Sequence, residues 1–172
     1  LWLTWLVVEN NPDLFKTFNE WGIAGVKIDF MDRSDQWMVN YYERIAREAA
    51  KHHLFVDYHG AFKPAGMERA LPNILSYEGV VGMEQNIGGG RATTANNAYI
   101  PFIRNAVGPA DFTPGAMISV HPEDYKSTRT NPVSIGTRAY QLALYVVLES
   151  GIQMLADNPF YYYREKECTC TS

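Results

Sequence analysis

The residues best suited to chemistry in this chain are acids, and two of them stand at telling places. Gly25-Val26-Lys27-Ile28-Asp29-Phe30-Met31-Asp32 is a short apolar run that ends in carboxylates. In an extended strand, alternation puts Val26, Ile28 and Phe30 on one face and Lys27 and Asp29 on the other. Burying a lone charge is expensive, so an inward Lys and Asp must pair or face a wet cavity. A structural ion pair and a functional site both satisfy that demand. Glu84 lies two connections later, on the long segment Gly82-Met83-Glu84-Gln85-Asn86 that runs into Gly88-Gly89-Gly90. Two carboxylates facing each other across a pocket are the minimum kit for cleaving a glycosidic bond, one as nucleophile or base and one as acid. Lys27 would keep a neighbouring Asp29 ionised, and the apolar surroundings of Glu84 suit a proton donor. His59 can donate a hydrogen bond to a substrate or serve as a satisfied strand-end histidine. Glu78 offers the oxygen that a hard cation such as Ca2+ takes, although one carboxylate makes no metal site.

These groups need elements to hold them. Leu1 to Val8 reads as a strand, Asn10-Asn11-Pro12-Asp13 as a helix start, and Leu14, Phe15, Phe18 and Trp21 as its apolar stripe before Gly22. After the Lys27 strand, Asp35 is the expected cap of a helix reaching about His52, with Met38, Val39, Tyr42, Ile45, Ala46 and Ala49 inward. Leu54 to Gly60 and Asn73 to Glu78 read as strands, separated by a short helix over 65–70. A helix over 99–106, a strand over 117–120, a helix capped by Ser134 with Ile135, Ala139, Leu142, Ala143, Val146 and Val147 inward, and a strand over 152–157 complete the series.

Strand and helix alternate, which marks a parallel α/β sheet. Acids or His tip nearly every strand (Asp29, Asp57 with His59, Glu78, Asp157), which favours a (β/α)8 TIM barrel over an open sheet with one switch point. A full barrel takes about 250 residues. With roughly six strands in 172 residues, an incomplete barrel is expected over residues 1–160, with 161–172 as a tail. The chain starts without Met, directly on a strand, as a piece of a longer protein would.

The 47% hydrophobic and 13% aromatic content supplies a real core. A net charge of −4 and scattered basic residues argue against a nucleic-acid partner. No apolar run reaches the roughly 18 residues of a membrane-spanning helix, and no signal-peptide pattern is present. Cys168 and Cys170 sit in the polar tail, a weak metal or redox signal. Four His in total is thin for a metal-centred barrel enzyme.

Several long runs in order resemble the catalytic barrel of glycoside hydrolase family 97. They are Trp21 to Arg33, Met38 to Ala46, Val56 to Pro64, Glu78 to Glu84, Gly108 to Met117 and Gln153 to Asp157. The resemblance implies an enzyme acting on α-glycosides beside a Ca2+ ion, with β-domains flanking the barrel and a periplasmic or secreted parent. Inverting members of that family lack the Asp of the Lys-x-Asp strand and carry a base Glu after the next strand's His; retaining, α-galactosidase-like members keep the Asp. Here Asp29 is present and Gly60 follows His59, so the resemblance implies retention, with Asp29 as nucleophile and Glu84 as acid/base. Lys27, Asp32 and His59 would meet substrate, an oligosaccharide or α-galactoside, and Glu78 would bind Ca2+. An α-glucosidase with the same machinery and a catalytically silent fragment are the alternatives. The flanking domains and the other Ca2+ ligands lie outside this segment, and the Ile87 to Gly90 loop departs from the family's more polar one.

Overall fold

Parallel pairing dominates the computed structural model, which describes residues 1–88 and 92–165. The chain forms two compact units. The first comprises Leu1–Val80, Ala106–Asp111 and Ser150–Ile152. Its sheet runs β1 (Trp2–Thr4), β2 (Gly25–Asp29), β3 (Phe55–Tyr58) and β4 (Ile74–Tyr77), in that order and all parallel. Ala110 adds a parallel bridge to Tyr77, and the Asp111 N–H donates to the Tyr77 carbonyl at 2.8 Å.

The strand expected over residues 1–8 stops at Thr4. Its hydroxyl accepts from the Val7 N–H and caps helix α1 (Trp5–Glu9). The β-prone run Trp5-Leu6-Val7-Val8 is helical because tertiary contacts override propensity: Trp5 packs edge-on against Trp37 and Tyr41, and Tyr41 Oη donates to the Trp5 carbonyl. Helix α2 (Leu14–Glu20) buries Phe15 and Phe18 and is followed by Gly22 at φ +73, the left-handed turn that glycine adopts without penalty.

Helix α3 (Gln36–Lys51) forms as its sequence dictates. Asp35 accepts from the Trp37 and Met38 N–H groups, and Met38, Tyr42, Ile45, Ala46 and Ala49 are buried as expected, with Tyr41 buried as well and Val39, expected inward, only half-buried. That stripe covers one face of the sheet, where Tyr42 meets Tyr58 edge-on at 4.5 Å between ring centroids. The opposite face is polar. Register aligns Trp2 with Lys27, Lys27 with Asp57, and Asp57 with Ser76. The last match depends on a register shift after Val56, a bulge that skips Leu75. Helix α4 (Met67–Ala70) is the short connector before β4.

The second unit contains Val81–Asn105, Phe112–Glu149 and the chain from Gln153 on. Two short strands, β5 (Ser119–Val120) and β6 (Ser134–Ile135), pair in parallel as a separate sheet. Helix α5 (Thr94–Ile103) starts earlier than expected because the Thr93 hydroxyl accepts from the Asn96 N–H. Ser134 does not cap a helix: its N–H bonds to the Ile118 carbonyl and its hydroxyl to the Ala116 carbonyl. Thr137 caps helix α6 (Arg138–Val147) instead, accepting from the Tyr140 N–H. The inward face is therefore Gln141 and Leu144, while Val146 is 86% exposed. No strand forms over 152–157, and helix α7 (Pro159–Arg164), capped by Asn158, crosses the boundary expected at residue 160.

The α/β class with parallel sheets is as expected, and the finding is two separate sheets of four and two strands. Cys168, Cys170, Gly89 and Gly90 lie outside the described residues. No described helix is long and apolar enough to cross a membrane.

Candidate active site

Asp29 closes β2, a strand buried along its whole length. Phe30 follows at φ +63, a conformation uncommon for a residue with a side chain and the kind that marks functional turns. The turn brings the Phe30 N–H onto Asp29 Oδ1 at 2.5 Å, while Trp2 Nε1–H from β1 donates to Oδ2 at 2.8 Å. Both carboxylate oxygens are thus aimed by N–H donors, and the side chain is almost entirely buried.

Lys27, two residues back on the same face, does not pair with Asp29. Its ammonium lies 3.0 Å from Asp111 Oδ1 and 2.7 Å from Oδ2, with the Asp111 side chain fully buried. The inward cation is neutralised from 84 residues away. Asp111 also receives His59, whose Nδ1 is 2.6 Å from Oδ2. On its other side the His59 Nε2 lies 3.4 Å from Glu78 Oε1, and Glu78 Oε2 accepts from the Gly60 N–H at 2.7 Å. Lys27, His59 and Glu78 are thereby brought together around Asp111. Asp57, in register with Lys27, accepts from Ser76 Oγ at 2.6 Å on Oδ1, while its buried Oδ2 has no hydrogen-bond partner among the described residues.

The electrostatics follow from burial and charge. Burial, and then the negative Asp111, push the Asp57 carboxyl up to about 7, with the Ser76 hydroxyl pulling the other way. Burial would also raise Asp111, but the His59 bond and the Lys27 charge bring it below the usual carboxylate range. Burial opposes a charge on His59, yet the Asp111 bond and the Glu78 carboxylate outweigh it and raise the imidazole.

Gly60 sits where the network closes, at φ +59, and a Cβ there would stand 3.1 Å from the backbone nitrogens of Phe30 and Met31. Asp32 is exposed, at φ +44, and its N–H donates to the Gly60 carbonyl. Glu84 belongs to the second unit, half-buried in the 3-10 turn Met83–Gly88. There the Met83 N–H bonds to the Thr113 carbonyl, and the Glu84 carboxylate folds back so closely that a Cβ on Gly82 would meet it.

Sequence reading passed over Trp2, Asp57 as a site residue, Ser76 and Asp111. The legible signal was polar residues in otherwise apolar strands, and a single acid in the apolar segment Gly108 to Met117.

Comparison with known proteins bears on this arrangement. The family described as Glycoside hydrolase 97 matches residues 1–80. The chain is 42% identical over 172 residues to a retaining alpha-galactosidase of Bacteroides thetaiotaomicron, covering 98% of this chain and 26% of that protein. It is 38% identical over 154 residues to a probable retaining alpha-galactosidase of Streptomyces bingchenggensis, covering 90% and 22%. A solved glycoside hydrolase family 97 enzyme from Pseudoalteromonas sp. strain K8, in complex with acarbose, superposes with a TM-score of 0.75 at 31% identity, over 91% of this chain and 26% of that one. The chain spans about a quarter of the length of the curated relatives it matches. The match over residues 1–80, the curated relatives and the solved structure together support a glycoside hydrolase family 97 domain.

Proposed function

We propose that this chain forms part of the (β/α)8 catalytic barrel of a retaining α-galactosidase. The observation that carries the reading is Asp29, a buried carboxylate at the C-terminal end of a parallel strand with both oxygens aimed by N–H donors, where barrel enzymes carry their catalytic groups. The retaining alpha-galactosidase named among the relatives supports the substrate class, and the acarbose complex of the solved neighbour supports a carbohydrate ligand.

Asp29 attacks the anomeric carbon as the bond to the departing oxygen breaks, and Glu84 gives that oxygen its proton. Glu84 then takes a proton from water, the water oxygen attacks the same carbon, and Asp29 leaves with the electrons of the ester bond. Two inversions give net retention. Lys27, His59 and Asp32 meet sugar hydroxyls. Ca2+, which the family implies, takes oxygen ligands; Glu78, a carboxylate fixed at the end of β4 by the Gly60 N–H, has the right donor chemistry and would hold it. Bound there, the ion would add positive charge against the acids of the site.

The test is trapping with a fluorinated α-galactosyl donor followed by peptide mapping. Label on Asp29 is expected; label on another residue of an active protein would overturn the assignment. Nitrophenyl α-galactoside should be hydrolysed in preference to the α-glucoside, and the opposite preference would make the protein an α-glucosidase using the same groups.

A further inference from the structure

The polar face of the first unit holds more charge than a nucleophile needs. Lys27 on β2 and His59 beyond β3 meet on Asp111, Glu78 at the end of β4 is reached through His59, and Asp57 and Ser76 pair beside them. Asp111 comes from outside those strands, on a segment joined to β4 by the Ala110 bridge and by the Asp111 N–H. An ion pair this deeply buried is a poor stabiliser, since desolvation cancels most of its attraction and well-packed apolar residues do as well or better. Its value must lie in what it positions.

Asp111 faces the Lys27 ammonium on one side and the His59 ring on the other, while Asp57 is turned to the Ser76 hydroxyl.

We propose that Asp111 is a positioning residue, one buried carboxylate that fixes the Lys27 ammonium and the His59 ring together. The proposal rests on the glycosidase reading above. The Lys27 ammonium is anchored on Asp111 by a hydrogen bond to Oδ1 and the ion pair to Oδ2, and an ammonium has three protons, so donors remain for a sugar hydroxyl. The His59 Nδ1–H is committed to Asp111, which fixes the ring's orientation and presents Nε2 on the opposite side. Asp111 touches no substrate and acts through the two side chains that do.

The experiment is carried out on the protein at its natural length. Asp111→Asn is expected to lower kcat/KM on nitrophenyl α-galactoside about 10²-fold, the scale of loss when reacting groups are displaced by about 1 Å. Lys27→Met added to Asp111→Asn should cost little more, because the ammonium is already adrift. Independent losses from Lys27→Met and Asp111→Asn would overturn the proposal. Histidine-labelled wild-type protein gives a readout that needs neither turnover nor a foldable variant. A slowly exchanging, strongly hydrogen-bonded Nδ1–H on His59 is expected by NMR, and a ring protonated only at Nε2 would refute the pairing. An inactive wild type would refute the glycosidase reading instead, and the ring signals would still decide whether Asp111 holds His59.

Discussion

Asp57 offers the sharpest test of the electrostatics, because a buried acid that keeps its proton to about pH 7 links stability to pH in an unusual direction. Unfolded, the same carboxyl releases its proton near 3.8. Between those values the folded chain binds one more proton than the unfolded chain, so unfolding free energy falls as pH rises, by about 1.4 kcal/mol per unit. The penalty is absent below pH 3.8, accumulates to roughly 4 kcal/mol by about pH 7, and is constant above. Asp57→Asn keeps the shape but cannot ionise. Urea unfolding from pH 4 to 8, followed by Trp fluorescence, should show wild type and variant nearly equal at the acid end. The variant should gain about 1.4 kcal/mol per pH unit and level off near pH 7. A stability difference that does not change with pH would refute the assignment of the proton to Asp57. A gain in stability alongside reduced activity would mark the usual cost of a functional site.

Three further perturbations follow from single contacts. Trp2→Phe removes the Nε1–H that aims Asp29 Oδ2; a lost hydrogen bond to a charged group is worth about 1.5–3 kcal/mol, so kcat/KM should fall by about 10- to 100-fold with the thermal midpoint little changed. Gly60→Ala forces a side chain into φ +59 and to within 3.1 Å of the Phe30 and Met31 nitrogens, which should cost about 1–3 kcal/mol in denaturant unfolding and lower kcat. A Glu at position 60, as in an inverting enzyme, would carry the same strain on this backbone, and Gly60→Glu with Asp29→Gly should yield no inverting activity by NMR of the product anomer. Thr137→Ala should cost about 1 kcal/mol by loss of the α6 cap, whereas a cap at Ser134 would leave that substitution without effect.

Sequence alone determined what depends on local physics. The Asp35 cap and the buried stripe of α3 were legible because helix period and capping chemistry lie within a few residues of each other. Asp29 was legible as the end of a buried strand for the same reason. Tertiary structure decided the rest. The helical Trp5 to Glu9 contradicts its own propensity and is held by Trp37 and Tyr41. The α6 stripe was misphased because Ser134 found strand partners and Thr137 became the cap. The bulge after Val56 that sets Ser76 against Asp57 leaves no pattern in the residues themselves. Above all, Lys27 and Asp29 share a face, as alternation required, but they do not neutralise each other. The partner of Lys27 is Asp111, a residue that only the chain's return to the end of the sheet brings within 3 Å. Alternation fixes which way a side chain points, and the register and return of distant segments fix what it meets.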